Sequence, residues 1–494
     1  MKIRQITVLL LASLLFASCA SDTGADTTVT TTAAEGETTA AAAETETADP
    51  NDRSNIKDNL PDNLDFGGRT FAIYVHPEAE KYSIGSEDHV GDIVNDAVVA
   101  RNMAVEERLN IVLEPELQTS FDGSVISTMI TAGDGSYDLF TGYQYELTKL
   151  VTGGGVCNLY DLENIDFDQP WWWVNYMSEL ELGEGSRFFA VGDYFLTALS
   201  YARTVFYNKD LYAEYYDNAD GLYDMVLDGT WTLDRMSQIA REVYIDLNND
   251  GKTDENDQLG YATYLTMSSV DPFVYGTDIE FSRRTDDGQV ELTMMHNEAV
   301  ALAEKLVGFF WQAGSMSQFA NGMENVNVFS RGKTMFLGNA MLATAEDLRD
   351  MDKNFGMIPY PKFDEAQTEY RSLVHDGAPI GFVNGSSENL DIAGTVLEAL
   401  NAETYRAVTP VWYETALKIK YSRDDASSQM IDLIHDSITT NFIFAYNYAL
   451  GDIGMIYRDL VTKNSTDYAS SLEKREARAV KLLDRLYQSF SENS

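Results

Sequence analysis

Apolar and polar positions switch between a period of two and a period near 3.6 along most of the chain after residue 66, and the switching predicts its elements. Arg69–Val75 reads as a strand. Ile93, Ala97, Ala100, Ala104 and Leu109 then recur at near-helical spacing over 92–109, and Asn110 stops that helix before the β-rich Ile111, Val112 and Leu113. A second helix over 124–131 leads through the turn Gly133-Asp134-Gly135 into a short buried strand at 137–140. Alternation of this kind predicts an α/β lobe with a mostly parallel sheet, whose ligands sit at the carboxyl ends of its strands. Thr141, Tyr143 and Tyr145 fall just past one such end, either as cleft residues or as packing side chains.

Further along, Trp171, Trp172 and Trp173 follow Pro170, three of the six tryptophans in a row. Neither strand nor helix periodicity buries three adjacent side chains on one face, so at least one indole is expected in a groove or loop; the alternative is that all three pack as core beneath a loop. Flat indoles suit the apolar faces of sugar rings, and nearby Asp, Asn and Gln suit the hydroxyls. Helices are predicted over 233–244, with Thr232 as its N-cap, and over 297–311, 390–400 and 474–490. The last carries Val480, Leu483 and Leu486 near one face. Trp311 is a cleft or a core residue.

The N-terminus belongs to no fold. Lys2 and Arg4 precede an apolar stretch at 6–17 too short to span a bilayer. Phe16-Ala17-Ser18-Cys19 resembles a bacterial lipobox, which implies that 1–18 is a lipoprotein signal peptide and that Cys19 carries the lipid, palmitate or a similar acyl chain, at the mature N-terminus. An ordinary secretory signal is the alternative. Residues 19–65 lack Phe, Trp and Tyr and are rich in Thr, Ala and Glu, so they cannot bury enough apolar surface to offset ordering; they form a tether. The net charge of -44 excludes nucleic acid and an anionic lipid surface as partners. Cys157 is the only other cysteine, so no intramolecular disulfide framework exists.

One stretch has metal-binding spacing. Over 246–257, Asp246, Asn248, Asp250, Asp254 and Asp257 put side-chain oxygens at positions 1, 3, 5, 9 and 12 of a calcium loop, Gly251 takes the sharp turn at position 6, and Lys252 offers its carbonyl at position 7. Asp257 in place of Glu shortens the bidentate reach. A helix enters the loop and a strand at 260–264 leaves it, which favours a structural calcium ion over a sensor.

The order of several further pieces resembles the family 1 extracellular solute-binding proteins of ABC importers, the group that includes maltose-binding protein. The pieces run along most of the chain after Phe66: Gly135-Ser136-Tyr137-Asp138-Leu139; Phe206-Tyr207-Asn208-Lys209-Asp210-Leu211; Gly229-Thr230-Trp231-Thr232; Asp257-Gln258-Leu259-Gly260-Tyr261; 329–336; and 354–361. The resemblance implies a two-lobed, periplasmic-binding-protein-like (type II) α/β fold with a hinge and a helical C-terminal region. It implies a first lobe of 66–202 plus 333–384 and a second of 203–332 plus 385–494, with a second hinge at 377–385. The expected function is capture of an extracellular carbohydrate or similar solute by a monomeric, lipid-anchored protein at the outer face of the membrane, for delivery to an ABC permease without catalysis. Tyr143, Trp171, Trp172, Trp173, Asp193, Arg203 and Trp231 are the candidate ligand contacts. A lipid-tethered glycan-degrading enzyme and a calcium-braced glycan-binding or adhesion module are the rival readings. No G-x-S-x-G elbow occurs, none of the five histidines has an i, i+4 partner for zinc, and 327–334 lacks the first glycine of a phosphate loop.

Overall fold

The structure, a computed structural model, describes residues 53–493 apart from 86–90, 265–266, 287, 318–321 and 419–424. The signal peptide, Cys19 and the tether as far as residue 52 lie outside the described residues.

Arg69–Val75 pairs in parallel with Ile111–Leu117 on one side and Leu139–Tyr143 on the other, and Pro379–Val383 adds an antiparallel edge. Parallel neighbours need a crossover. Helix Ile93–Leu109 supplies it: Asp92 caps its start by accepting from the Val94 and Asn95 N–H groups, and Asn110, at φ 48°, leaves it in the left-handed conformation. The β-α-β unit expected here is present.

The second sheet runs in the order Phe355–Ile358, Arg203–Asn208, Thr334–Met341, Leu259–Ala262, Ser315–Met316. Its central register sets Arg203 opposite Met341 and Tyr207 opposite Phe336. This pairing divides the range 333–384 expected in the first lobe: Thr334–Met341 and Phe355–Ile358 are hydrogen-bonded into the second sheet, and Pro379–Val383 into the first. Helix Leu390–Glu403 moves the other way. Arg69 pairs with its Asp391 at 2.7 Å, and its Asn401 accepts from the Tyr194 N–H at 3.0 Å, which fastens it to the first sheet's side. The chain passes between the sheets at 201–203 and again at 374–378, where Ala202 and Val374 bridge. Both sheets lie within one compact unit, Asp49–Ser494.

The far end of the tether is also corrected. Residues 53–65 dock: Leu60 is buried, Asp58 receives Arg108 at 2.7 and 2.8 Å and Arg406 at 2.9 Å, and Arg53 lies over the Tyr405 and Tyr413 rings. Those two guanidiniums hold the Asp58 carboxyl down at about 2 against the cost of burying it. Helices Leu233–Glu242 and Asn297–Trp311 stand where their periodicity places them, and Thr232 caps the first by accepting from the Arg235 N–H. Trp311 is 42% exposed and donates its indole N–H to the Val461 carbonyl, so it is neither cleft nor core. In the last helix, Tyr468–Asn493, the buried face is Leu472, Ala479, Leu483 and Leu486, while Val480 points outward. No helix among the described residues is long and apolar enough to cross a membrane.

Candidate functional site

The carboxyl ends of the strands gather polar and aromatic side chains from both sheets. From the first sheet come His76 and Glu78, just after Arg69–Val75, and Tyr143 and Tyr145, at the end of Leu139–Tyr143. The antiparallel edge strand delivers His375 and Asp376 at its amino end. From the second sheet come Arg203 at the start of its strand, Thr263, Asn339 and Tyr360. Tyr201, on the first crossing, donates to Glu78 at 2.6 Å, and Tyr143 donates to the other oxygen of the same carboxylate at 3.2 Å. Burial, reinforced by Glu78, pushes the Tyr143 phenol up to about 12, so it stays a neutral donor. Tyr145 stacks on Tyr143 with centroids 5.4 Å apart and planes 14° off parallel, and Tyr448 lies 6.0 Å beyond, half exposed. The Lys149 ammonium sits 5.5 Å from the Tyr145 ring and 5.1 Å from that of Tyr448.

Beneath this aromatic row lies a knot of buried charge. Arg203 is buried; one terminal nitrogen donates to the Asn339 carbonyl at 3.1 Å and the other to the Ser268 hydroxyl. Asp271, 2% exposed, takes a bidentate pair from Arg458, one bond at 2.7 Å. Burial raises the Asp376 carboxyl, and Asp271 adds to the rise. Burial and the neighbouring Arg203 and Arg458 hold His375 well below its ordinary value, so the imidazole is neutral. Arg203 Nε, Thr263 Oγ1, Ser269 Oγ and Asn339 Oδ1 are buried with no hydrogen-bond partner among the described residues. Asn339 also holds a left-handed backbone, φ 53°. The arrangement offers stacking faces, hydroxyl partners and unspent hydrogen-bond capacity, with its charges largely paired or neutralised.

Of the residues singled out from the sequence, Tyr143, Tyr145 and Arg203 belong to this cluster. The tryptophans do not. Trp171 and Trp172 donate their indole N–H groups to Glu398 at 3.1 and 2.8 Å, and Trp173 donates to Asp193 at 3.0 Å; all three are buried. Asp193 is fully buried, accepting also from Thr409 at 2.8 Å and facing His435 at 3.4 Å. Trp231 is buried against Phe336 and donates to the Pro359 carbonyl at 3.0 Å. Each of these is a packed side chain whose polar atom is satisfied inside the protein. Glu78, Tyr201, Tyr448, Asp271, Asp376 and Arg458 were not singled out; the usable signal for Glu78 was its position just after a parallel strand. Cys157 is a partly buried thiol that burial pushes up to about 11, in keeping with an inert role.

The loop 246–257 is held by its own side chains accepting from backbone N–H groups. Gly251, at φ 76°, donates its N–H to one Asp246 oxygen at 2.9 Å, and Asn248 and Asp250 accept from the N–H groups two residues on. The other Asp246 oxygen is buried without a partner. Asp257, 1% exposed, accepts from the Leu247 and Asp254 N–H groups, and Tyr244 donates to the Lys252 carbonyl. Among the described residues no three His, Cys, Asp or Glu side chains are gathered closely enough to hold a metal ion.

Comparison with known proteins agrees with the fold. No curated protein sequence gives a significant match. Among solved structures the chain is similar to a cyclo/maltodextrin-binding protein complexed with maltotetraose, at 13% identity over 85% of this chain and 97% of that one, with a TM-score of 0.55. It is also similar to the GacH receptor of Streptomyces glaucescens GLA.O, solved unliganded and in complex with acarbose and an acarbose homologue, at 15% identity over 86% and 100% of the two chains and a TM-score of 0.51. The two-lobed, maltose-binding-protein-like architecture is thereby shared. Residues 105–404, more than half of the sequence, match the family itself, and the chain belongs to the bacterial extracellular solute-binding proteins.

Proposed function

We propose that the protein is the substrate-binding component of an ABC importer and that its cargo is a neutral carbohydrate or a similar polyhydroxylated solute. The reading rests above all on the row Tyr143, Tyr145 and Tyr448 beside Glu78. Ring faces of the solute lie against the aromatic row, and its hydroxyls donate to Glu78 and meet the unpartnered Arg203, Thr263 and Asn339 atoms. Those atoms are polar groups that the protein itself leaves without a partner, and a polyhydroxylated ligand can satisfy them. Contacts from both sheets at once favour the closed arrangement, with motion about the crossings at 201–203 and 374–378. The maltotetraose and acarbose held by the similar structures support the carbohydrate class. Cys19 supplies the lipid anchor at the outer face of the membrane, a permease receives the solute unchanged, and the protein works as a monomer.

Tyr145→Ala is expected to weaken sugar binding by at least about tenfold, equivalent to about 1.4 kcal/mol, without shifting the melting temperature by more than a few degrees. Calorimetry against glucose, maltose, maltotetraose and xylotetraose measures it, with chromatography of the same mixtures for product. Absence of binding across the panel, or steady release of shortened sugar, overturns the reading.

The same reading gives loop 246–257 a structural calcium ion, on Asp246, Asn248, Asp250, Asp254 and Asp257 and the Lys252 carbonyl. The buried, unpartnered Asp246 oxygen next to the Gly251 turn supports it. Asp257 and Lys252 must then exchange their present partners for the ion. A ligand bound only by the native state stabilises it by about 2.7 kcal/mol at a hundred times its Kd. The melting temperature is therefore expected to rise by a few degrees with millimolar calcium, to fall with chelator, and to ignore both in Asp250→Ala; an indifferent wild type removes the ion.

A further inference from the structure

A second concavity shares none of the cleft's side chains. It is bounded by helix Val174–Glu179, by the segment 369–371 leading into the second crossing, and by 433–439, and it encloses about 450 Å³. A smaller hollow of about 210 Å³ adjoins it, with Asn175, Asp436 and Ile438 common to both and Trp172 and Trp173 on its far wall. Together they form one groove of a size that takes a small ligand.

Its chemistry is mixed in a particular way. Both indole N–H groups are committed to buried acids, Trp172 to Glu398 and Trp173 to Asp193, so the small part of each ring left at the groove wall, 4% and 6% of the residue, offers no donor. Most charges along the rest of the groove come as pairs, Arg371 with Glu179 at 3.7 Å and Asp436 with His435 at 2.9 Å, and Glu369 adds an exposed carboxylate outside those pairs. Paired charges attract neither a cation nor an anion strongly, yet they present donors and acceptors side by side, and Asn175 adds an amide between them. An apolar wall next to spaced donors and acceptors, with one exposed carboxylate to accept from hydroxyls, matches a pyranose, which has apolar C–H faces and vicinal hydroxyls.

We infer that this groove is a second carbohydrate-binding site, taking a neutral mono- or disaccharide unit, either free or as part of a longer chain. It binds more weakly than the cleft because it is shallow and Asn175 and Asp436 are exposed. The site goes beyond the cleft reading and stands or falls separately from it.

The test uses the full-length protein, a panel of glucose, maltose, maltotetraose and xylotetraose, and hydrogen–deuterium exchange beside calorimetry. Sugar is expected to protect 172–179 and 433–439 from exchange in a second, weaker saturation step. Arg371→Ala, or Asn175→Ala, which leaves both ion pairs intact, is expected to weaken that step at least fivefold while the cleft step is unchanged. In Tyr145→Ala the groove step is expected to persist. Protection confined to the cleft segments overturns the groove and leaves the cleft reading; protection confined to the groove does the reverse. Protection at neither overturns both, and a groove step insensitive to both groove variants overturns the site as drawn.

Discussion

Arg458→Met is expected to cost the protein about 3–5 kcal/mol of unfolding free energy, because it strands Asp271 as a buried carboxylate with its bidentate partner gone. The neighbouring Arg203 is committed to the Asn339 carbonyl and the Ser268 hydroxyl, so it does not replace Arg458. Adding Asp271→Asn is expected to recover most of the loss, since removing both charges removes the desolvation cost of each. Urea unfolding of the wild type, the two single variants and the double gives the coupling directly. The pH dependence has a fixed sign. Burial already raises the Asp271 carboxyl, and losing Arg458 raises it further. A raised carboxyl is stabilised in its protonated form, so the deficit of Arg458→Met is expected to shrink as pH falls toward the ordinary carboxylate range and to be complete at neutral pH. A deficit independent of pH, or no recovery in the double variant, contradicts this account.

On the proposed reading, that pair also accounts for a cleft lined with charge taking an uncharged solute. Asp271 cancels Arg458, burial and Asp271 push Asp376 toward its acid form, and burial together with two guanidiniums keeps His375 neutral. What remains for a ligand is hydrogen-bonding capacity, concentrated on Arg203, Asn339 and Thr263, under an aromatic row that reaches solvent at Tyr448.

How far the sequence disclosed this depends on the range of the interactions involved. Helix Ile93–Leu109 with its Asp92 cap and Asn110 stop, and helix Asn297–Trp311, were legible because spacing and capping are local. The partners of Thr334–Met341 and Phe355–Ile358 were not, since strand pairing here joins residues far apart in the chain, as Leu259 with Thr334 and Asn208 with Phe355, and the pattern of one strand does not name its neighbour. The tryptophans failed as cleft residues for a different reason. The argument against burying three adjacent indoles assumes a regular strand or helix, and the backbone there is neither: Trp172 bridges Gly192 and Trp173 only opens the short helix Val174–Glu179. A Cβ at Gly192 would stand 2.4 Å from the Trp171 carbonyl oxygen and 2.5 Å from Asn401, so glycine is what lets the two segments close over the rings. The acids that receive the indole N–H groups, Glu398 and Asp193, lie in other elements and carry no mark in the sequence. Tyr143 was legible from the rule that ligands meet the carboxyl ends of parallel strands, and the same rule applied at residue 75 would have found Glu78.

Glu398 is the acid that closes the tryptophan layer, and it makes stability fall as pH rises. It is 1% exposed and accepts from Trp171, Trp172 and the Asp166 N–H, yet burial outweighs those donors and pushes its carboxyl up to about 7. A folded value above the unfolded 4.5 means that its contribution is full below pH 4.5 and is lost as pH rises through 7. At about 1.36 kcal/mol per unit, the swing is on the order of 3 kcal/mol. Two other shifted groups act outside the useful window. Asp58, held down at about 2, loses its contribution only as pH falls below the ordinary 3.8. His435, raised to about 9 by its bonds to Asp193 and Asp436 despite burial, loses its own as pH rises from 6.5 through 9. His76, lowered by burial to about 4, changes its contribution within pH 4.5 to 6.5, but equally in both proteins, so the difference between wild type and Glu398→Gln across that interval reports Glu398. The wild type's unfolding free energy relative to the variant is expected to decline across that interval and on to pH 7, while the variant leaves one indole N–H without its acceptor at every pH. Urea unfolding followed by tryptophan fluorescence reads both effects, because Trp171 and Trp172 are the reporters. A difference that stays flat from pH 4.5 to 7 puts the Glu398 carboxyl in its ordinary range, and the three N–H donors then outweigh burial.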